Sequence, residues 1–191
     1  LQDSPLTNAC QDVASLLPSV SGRITTEMSD GVNNIEVELT NMTSALNKTE
    51  MTNNDGQYKF DGIDVFDPKT IEARNEADLL NGVSTLDLVM MQRHILGLQS
   101  IASPYKLLAA DVNNSKSITA SDLVDLRKVI LGMSTSFVNN TSWRFVPSDF
   151  VFLDPTYPFD FPSMINLDSL FEDKTNVNFI GVKVGDVNNS V

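Results

Sequence analysis

Asp111, Asn113, Ser115, Ser117 and Thr119 fall at alternate positions, and Asp122 closes a window of twelve residues. Every one of these side chains carries oxygen, and a helix-like apolar pattern follows them. Oxygen donors at this spacing suit a hard divalent cation. Calcium takes six to eight oxygens at ~2.3–2.6 Å, and a twelve-residue loop running into a helix delivers them from positions 1, 3, 5, 7, 9 and 12. On this reading Asp111, Asn113 and Ser115 ligate through side chains and Ser117 through its carbonyl. Thr119 acts directly or through water, and Asp122 closes the site. Ile118, at position 8, packs inward. Without a metal, the same residues make an Asx-rich turn whose Thr119 or Ser121 caps the helix.

The segment has an earlier copy, offset by 35 residues. Val83 matches Ile118, Ser84 matches Thr119, and Asp87 matches Asp122. Leu88-Val89 matches Leu123-Val124, Arg93 matches Lys128, and Ile95-Leu96-Gly97 matches Ile130-Leu131-Gly132. Leu88, Met91 and Ile95 mark one helical face, and Leu123, Leu126 and Ile130 another. Each helix stops on Gly, the usual residue just past a helix end. In the first copy Glu76 falls at position 1, Asp78 at 3, Asn81 at 6 and Asp87 at 12. Leu80, at position 5, has no donor, so either Asn81 substitutes or this loop is degenerate. A third echo, Asp186-Val187-Asn188-Asn189-Ser190, repeats Asp111 to Ser115. It reads as an incomplete loop, a ligand donor to a neighbouring site, or a reused turn.

DVNNSKSITASDLVDLRKVILG (111–132) resembles a type I dockerin repeat, and EADLLNGVSTLDLVMMQRHILG (76–97) is a looser second copy. The resemblance implies a tandem pair, each half an EF-hand, with one or two calcium ions. It also implies a cohesin-like partner, met by helix-start hydroxyls and basic residues. The matching positions are Thr85, Arg93, Ser121, Arg127 and Lys128. Position 6, a glycine in that family, is Lys116 here, which must take a left-handed backbone and brings a positive charge to the rim. With two carboxylates in the second loop, the affinity expected is that of extracellular modules, roughly 10⁻⁴–10⁻³ M.

The surrounding chain must hold these loops. Ser21–Thr26, Ile35–Leu39, Tyr58–Phe60 and Thr70–Ala73 alternate apolar and polar residues between Ser29-Asp30-Gly31 and Asn54-Asp55-Gly56 turns, which predicts short antiparallel strands. The Ser21-Gly22-Arg23-Ile24-Thr25, Val37-Glu38-Leu39 and Asn54–Phe60 segments resemble the prealbumin-like, carboxypeptidase-regulatory-like β-sandwich modules of bacterial surface proteins. That resemblance implies a spacer, stalk or adhesion scaffold. The chain is thus read as an α+β multi-module protein. A linker (1–18) precedes a small antiparallel Ig-like or prealbumin-like β-sandwich (19–74). A dockerin-like helical pair (75–133) and an aromatic-rich β extension (134–191) follow. The extension holds eight of the ten Phe and the one Trp, Trp143, and its strands are expected at Phe150–Phe152 and Phe179–Val184.

Composition limits the function. Thirteen Lys and Arg against 25 Asp and Glu give a formal charge of -12, which repels a phosphate backbone and excludes nucleic acid. Eighteen of the 25 acids are Asp, a loop residue, which favours cation capture. No run approaches the ~20 apolar residues that cross a bilayer. One His (His94) and one Cys (Cys10) leave little for a catalytic triad, a transition-metal site or a disulfide. The expectation is a non-enzymatic, calcium-binding structural, adhesion or assembly module, extracellular or on a cell surface, whose partners are calcium and neighbouring modules. The alternatives are a true dockerin bound to a cohesin-like receptor and a carbohydrate-binding appendage resting on Trp143.

Overall fold

The computed structural model describes residues 17–43 and 47–191. The expected linker over 1–18 falls almost wholly outside them, as does Cys10. The strands are β1 (Val20–Thr25), β2 (Glu36–Asn41), β3 (Lys48–Met51), β4 (Gln57–Phe60) and β5 (Lys69–Arg74). Three helices follow: α1 (Thr85–Ile95), α2 (Pro104–Ala110) and α3 (Ala120–Ile130). The chain then returns to strands β6 (Trp143–Pro147), β7 (Met164–Leu167) and β8 (Phe179–Lys183).

The strands form two four-stranded sheets, ordered β4-β1-β8-β6 and β3-β2-β5-β7. Alternation along each strand sends one set of side chains inward: Ile24 from β1, Val37 and Leu39 from β2, Phe60 from β4 and Ile71 from β5. Trp143, Phe145, Leu167 and Phe179 of the later strands enter the same core. The residues from 134 onward are therefore no separate extension: β6 and β8 complete one sheet and β7 the other. The helical segment is inserted between the halves of a two-sheet fold. The sheets are also not wholly antiparallel, because β1 runs parallel to β8, with Ile24 opposite Phe179.

Asn54-Asp55-Gly56 is a turn, but it links β3 to β4, which lie in different sheets. The Asn53 side chain accepts hydrogen bonds from the Asp55 and Gln57 amides at 3.0 and 2.8 Å. Gly56 has φ +76°, and a Cβ there would meet the Ile24 carbonyl at 2.1 Å. Phe150–Phe152 is not a strand: the Phe150 amide donates to the Pro147 carbonyl at 3.0 Å and turns the chain.

The helices pack as an amphipathic pair. Leu88 and Met91 of α1 meet Leu126 and Val129 of α3 in a second core, joined by Val112, Val184 and Val187. Both helices stop as the repeat predicted. Gly97 and Gly132 have φ +68° and +67°. The Leu98 and Met133 amides reach back to the Arg93 and Lys128 carbonyls at 2.9 and 2.8 Å, closing each helix end. A third core seats α2 on the outer face of the β8-β6 edge, through Leu108, Ala109, Val146, Phe159 and Val182.

Candidate metal centre

The sequence organises the 111–122 loop from its two ends. α2 ends at Asp111, and α3 begins after Thr119, which caps it. Asp111 and Asp122 are both fully buried. The Asp111 carboxylate accepts the Ser115 and Lys116 amides at 2.8 and 3.0 Å. Asp122 accepts the Asn113 amide on one oxygen at 3.1 Å and the Thr119 amide on the other at 2.9 Å. The two ends of the loop are thus tied to each other through position 12. Ser115 donates from Oγ to the Ser117 carbonyl at 3.2 Å, so positions 5 and 7 are adjacent.

Lys116 takes the left-handed backbone predicted for position 6, with φ +62°. Its charge does not stay over the loop. The ammonium reaches the Asp160 carboxylate at 2.5 Å, away from Asp111. The Asn140 side chain holds the loop from outside, donating to the Asp111 and Val112 carbonyls. Burial raises the Asp111 carboxyl above its ordinary range, against the two amides that stabilise its charge. Asp122 adds to the rise and the Arg144 guanidinium opposes it. Arg144 is itself pushed down by burial, and it stacks over Phe161 at 4.9 Å.

Carboxylate, amide, hydroxyl and carbonyl oxygens suit calcium or magnesium rather than a soft metal. Among the described residues no three His, Cys, Asp or Glu side chains gather as a metal-holding group. A cation here would have to combine the two carboxylates with neutral oxygens, which Asn113, Ser115, Ser117 and Thr119 could supply.

The first copy is built differently from the expectation. Asp87 is buried at the start of α1 and caps it with Ser84, whose amide donates to Asp87 at 2.8 Å. Glu76, Asp78 and Asn81, expected at positions 1, 3 and 6, are exposed. The left-handed residues there are Asp78 and Gly82, not Asn81. The other oxygen of Asp87 accepts the Val187 and Asn188 amides at 2.8 and 3.0 Å. The carboxylate set beside Asp87 belongs to Asp186, not to Glu76. Sequence reasoning left the Asp186–Ser190 echo open, and the repeated Asp-Val-Asn-Asn-Ser string was its signal.

Thr85, Arg93, Ser121, Arg127 and Lys128, the candidate partner-binding residues, are all exposed on α1 and α3. Lys128 pairs with Asp125 at 2.8 Å. Beside them lie exposed apolar residues that the sequence reading did not single out: Val89 and Val124, Leu96 and Leu131, Leu98 and Met133. Each pair is related by the 35-residue offset. His94 accepts the Ile101 amide on Nδ1 at 3.1 Å and supports a loop. Trp143 is 5% exposed and stacks on Phe145, so it offers no open face to a sugar. No helix among the described residues is long and apolar enough to cross a membrane.

In comparison with known proteins, no curated protein matches the chain. A family model does match: the dockerin type I domain, over residues 81–131. The match begins just before α1, runs through the 111–122 loop and ends at the cap of α3, leaving both sheets and Asp186–Val191 outside it. The inserted helical pair is thus similar to a dockerin type I domain.

Proposed function

We propose that this chain is a non-catalytic, calcium-dependent assembly module of a secreted or cell-surface protein. Asp111, Asn113, Ser115, Thr119 and Asp122 hold the ion through side chains, and Ser117 through its carbonyl. The ion ties the end of α2 to the start of α3, and the two-sheet fold presents the pair. One observation carries the reading: two fully buried carboxylates, Asp111 and Asp122, are oriented by backbone amides at the two ends of a single loop. Buried carboxylates without a cation are costly, and a divalent ion offsets that cost.

Calorimetric titration with calcium tests this. The wild-type 111–122 loop takes up calcium with a Kd of roughly 10⁻⁴–10⁻³ M, and Asp122→Ala loses the ion held by this loop. Absence of heat with the wild type, together with a melting temperature unmoved by chelator, overturns it.

The duplicated exposed apolar residues on and just past α1 and α3 favour a protein partner of the cohesin type, with Ser121, Arg127 and Lys128 at the contact and Thr85 and Arg93 as their counterparts. A pull-down on immobilised cohesins, lost on reversing the charges of Arg127 and Lys128, supports it. Retention by the charge-reversed chain argues against those residues.

A further inference from the structure

We propose that Asp186, Asn188 and Ser190 join Gly82, Ser84 and Asp87 in a second divalent-cation site, a loop whose two halves come from distant parts of the chain. The inference rests on reading the 111–122 loop as a calcium loop, because the second site repeats that loop group by group.

The Ser190 and Val191 amides donate to Asp186 at 3.1 and 3.0 Å, as those of Ser115 and Lys116 do to Asp111. The Asn188 amide donates to Asp87 at 3.0 Å, as that of Asn113 does to Asp122. Ser190 Oγ donates to the Gly82 carbonyl at 2.9 Å, as that of Ser115 does to the Ser117 carbonyl. Asn189 and Asn114 share a left-handed backbone, φ +58° and +55°. Val187 and Val112, the next residues after the paired Asp, are both fully buried in the helical core. Gly82 must be glycine for this docking: a Cβ there would lie 2.6 Å from an Asp186 carboxylate oxygen.

A separate observation points to a ligand. Asn188 Oδ1 is closed off from solvent and has no hydrogen-bond partner. At the matching place Asn113 Oδ1 accepts the Ser115 amide, a bond Asn188 lacks. This oxygen sits at position 3, where a ligand is required. The charges agree. Asp87 and Asp186 are 0% and 1% exposed, and burial together with Asp87 holds the Asp186 carboxyl above its ordinary range. The Lys183 ammonium is engaged by Ser142 and the Leu79 carbonyl. A cation between the two carboxylates satisfies all three side chains and fastens Asp186–Val191 onto the start of α1.

The test is calcium stoichiometry by calorimetry on the full chain. Two ions are expected for the wild type. Asp186→Asn, which keeps the shape of the side chain, and Asn188→Ala, outside the hydrophobic core, each leave one. Asp111→Asn also leaves one, and the Asp111→Asn/Asp186→Asn double variant none. Amide exchange gives a second readout: calcium slows exchange at Val187 and Asn188 about tenfold at ten times Kd in the wild type, and not in Asp186→Asn. A wild type that binds one ion, lost with Asp111→Asn, overturns the split site and leaves the 111–122 reading standing. Two ions retained in both Asp186→Asn and Asn188→Ala also overturn it. A wild type that binds none removes both.

Discussion

Lys116 and Asp160, 44 residues apart, hold each other at 2.5 Å, so the one cation within the 111–122 loop is drawn off its rim. Both side chains are more than half exposed, and such a pair adds little to stability. Its effect is on the loop. Lys116→Gly relieves the left-handed backbone and is expected to stabilise the protein by ~1 kcal/mol, read by urea unfolding. Asp160→Ala releases the ammonium toward Asp111 and is expected to weaken calcium a few-fold, read by calorimetry. An affinity unchanged by Asp160→Ala shows that the pair is ornamental.

Asp122 has a role that needs no metal. It accepts from Asn113 and Thr119 and so caps α3 without any metal. Asp122→Ala should therefore destabilise the calcium-free protein as well, by about 1–3 kcal/mol, because it leaves buried amides unpaired. Denaturation in excess chelator measures this term apart from calcium. A calcium-free variant as stable as wild type shows that the cap contributes nothing.

Saturating calcium should raise the unfolding free energy by about 1.4 kcal/mol at ten times Kd and 2.7 kcal/mol at a hundred times Kd for each site held. That is a shift of several degrees in melting temperature, reversed by chelator and concentration-dependent. A shift already present at micromolar calcium would place the loops in a tighter class than their donor set predicts.

The loop ahead of α3, with Asp111 and Asp122 at its ends, was legible because its information is local. Alternate donors, an apolar position 8 and a closing Asp all lie within one window. The helix stops at Gly97 and Gly132 were legible for the same reason. Asp87 meeting Asp186 was not, since no local period links residues 99 apart, and Glu76 held the expected register in the sequence alone. The parallel pairing of β1 with β8 was hidden likewise: Ile24 and Phe179 each look like ordinary strand residues, and only packing chooses between neighbours. α2 had its signal in Ser103-Pro104, a cap followed by proline at the first helical position, which periodicity alone overlooks. Phe150 to Phe152 looked like a strand by alternation, but Pro147 and Pro155 bracket too short a run.

Lys183 gives a pH signature. Burial pushes its ammonium down to about 8, against the nearby Asp186 and Asp78 charges. The unfolded chain keeps that proton up to the ordinary lysine range. Between about pH 8 and 10 the unfolded state therefore binds more protons, and stability rises with pH, by about 3 kcal/mol at most. Burial holds the Tyr58 phenol well above its ordinary value. Above pH 10 the unfolded chain ionises first at that tyrosine, and stability falls. In Lys183→Met the rise between pH 8 and 10 should vanish. A slope that survives the substitution assigns it to another group.

Trp143 lies in the core shared by both sheets. Trp143→Ala should cost about 3–5 kcal/mol through cavity formation, and soluble glycans should leave the wild-type tryptophan emission unmoved. A glycan-dependent shift in emission would restore the sugar-binding alternative.

The parallel seam between Val20–Thr25 and Phe179–Lys183 also sets a timetable. As the polypeptide leaves the ribosome, β1 has no neighbour on that side until Phe179, 155 residues after Ile24, has been made. The early strands wait with Val20 and Ile24 uncovered, while the helices, whose contacts are nearer in sequence, collapse first. Closure of that seam waits for β8, and until it is made the open edge of β1 can stick to neighbouring chains.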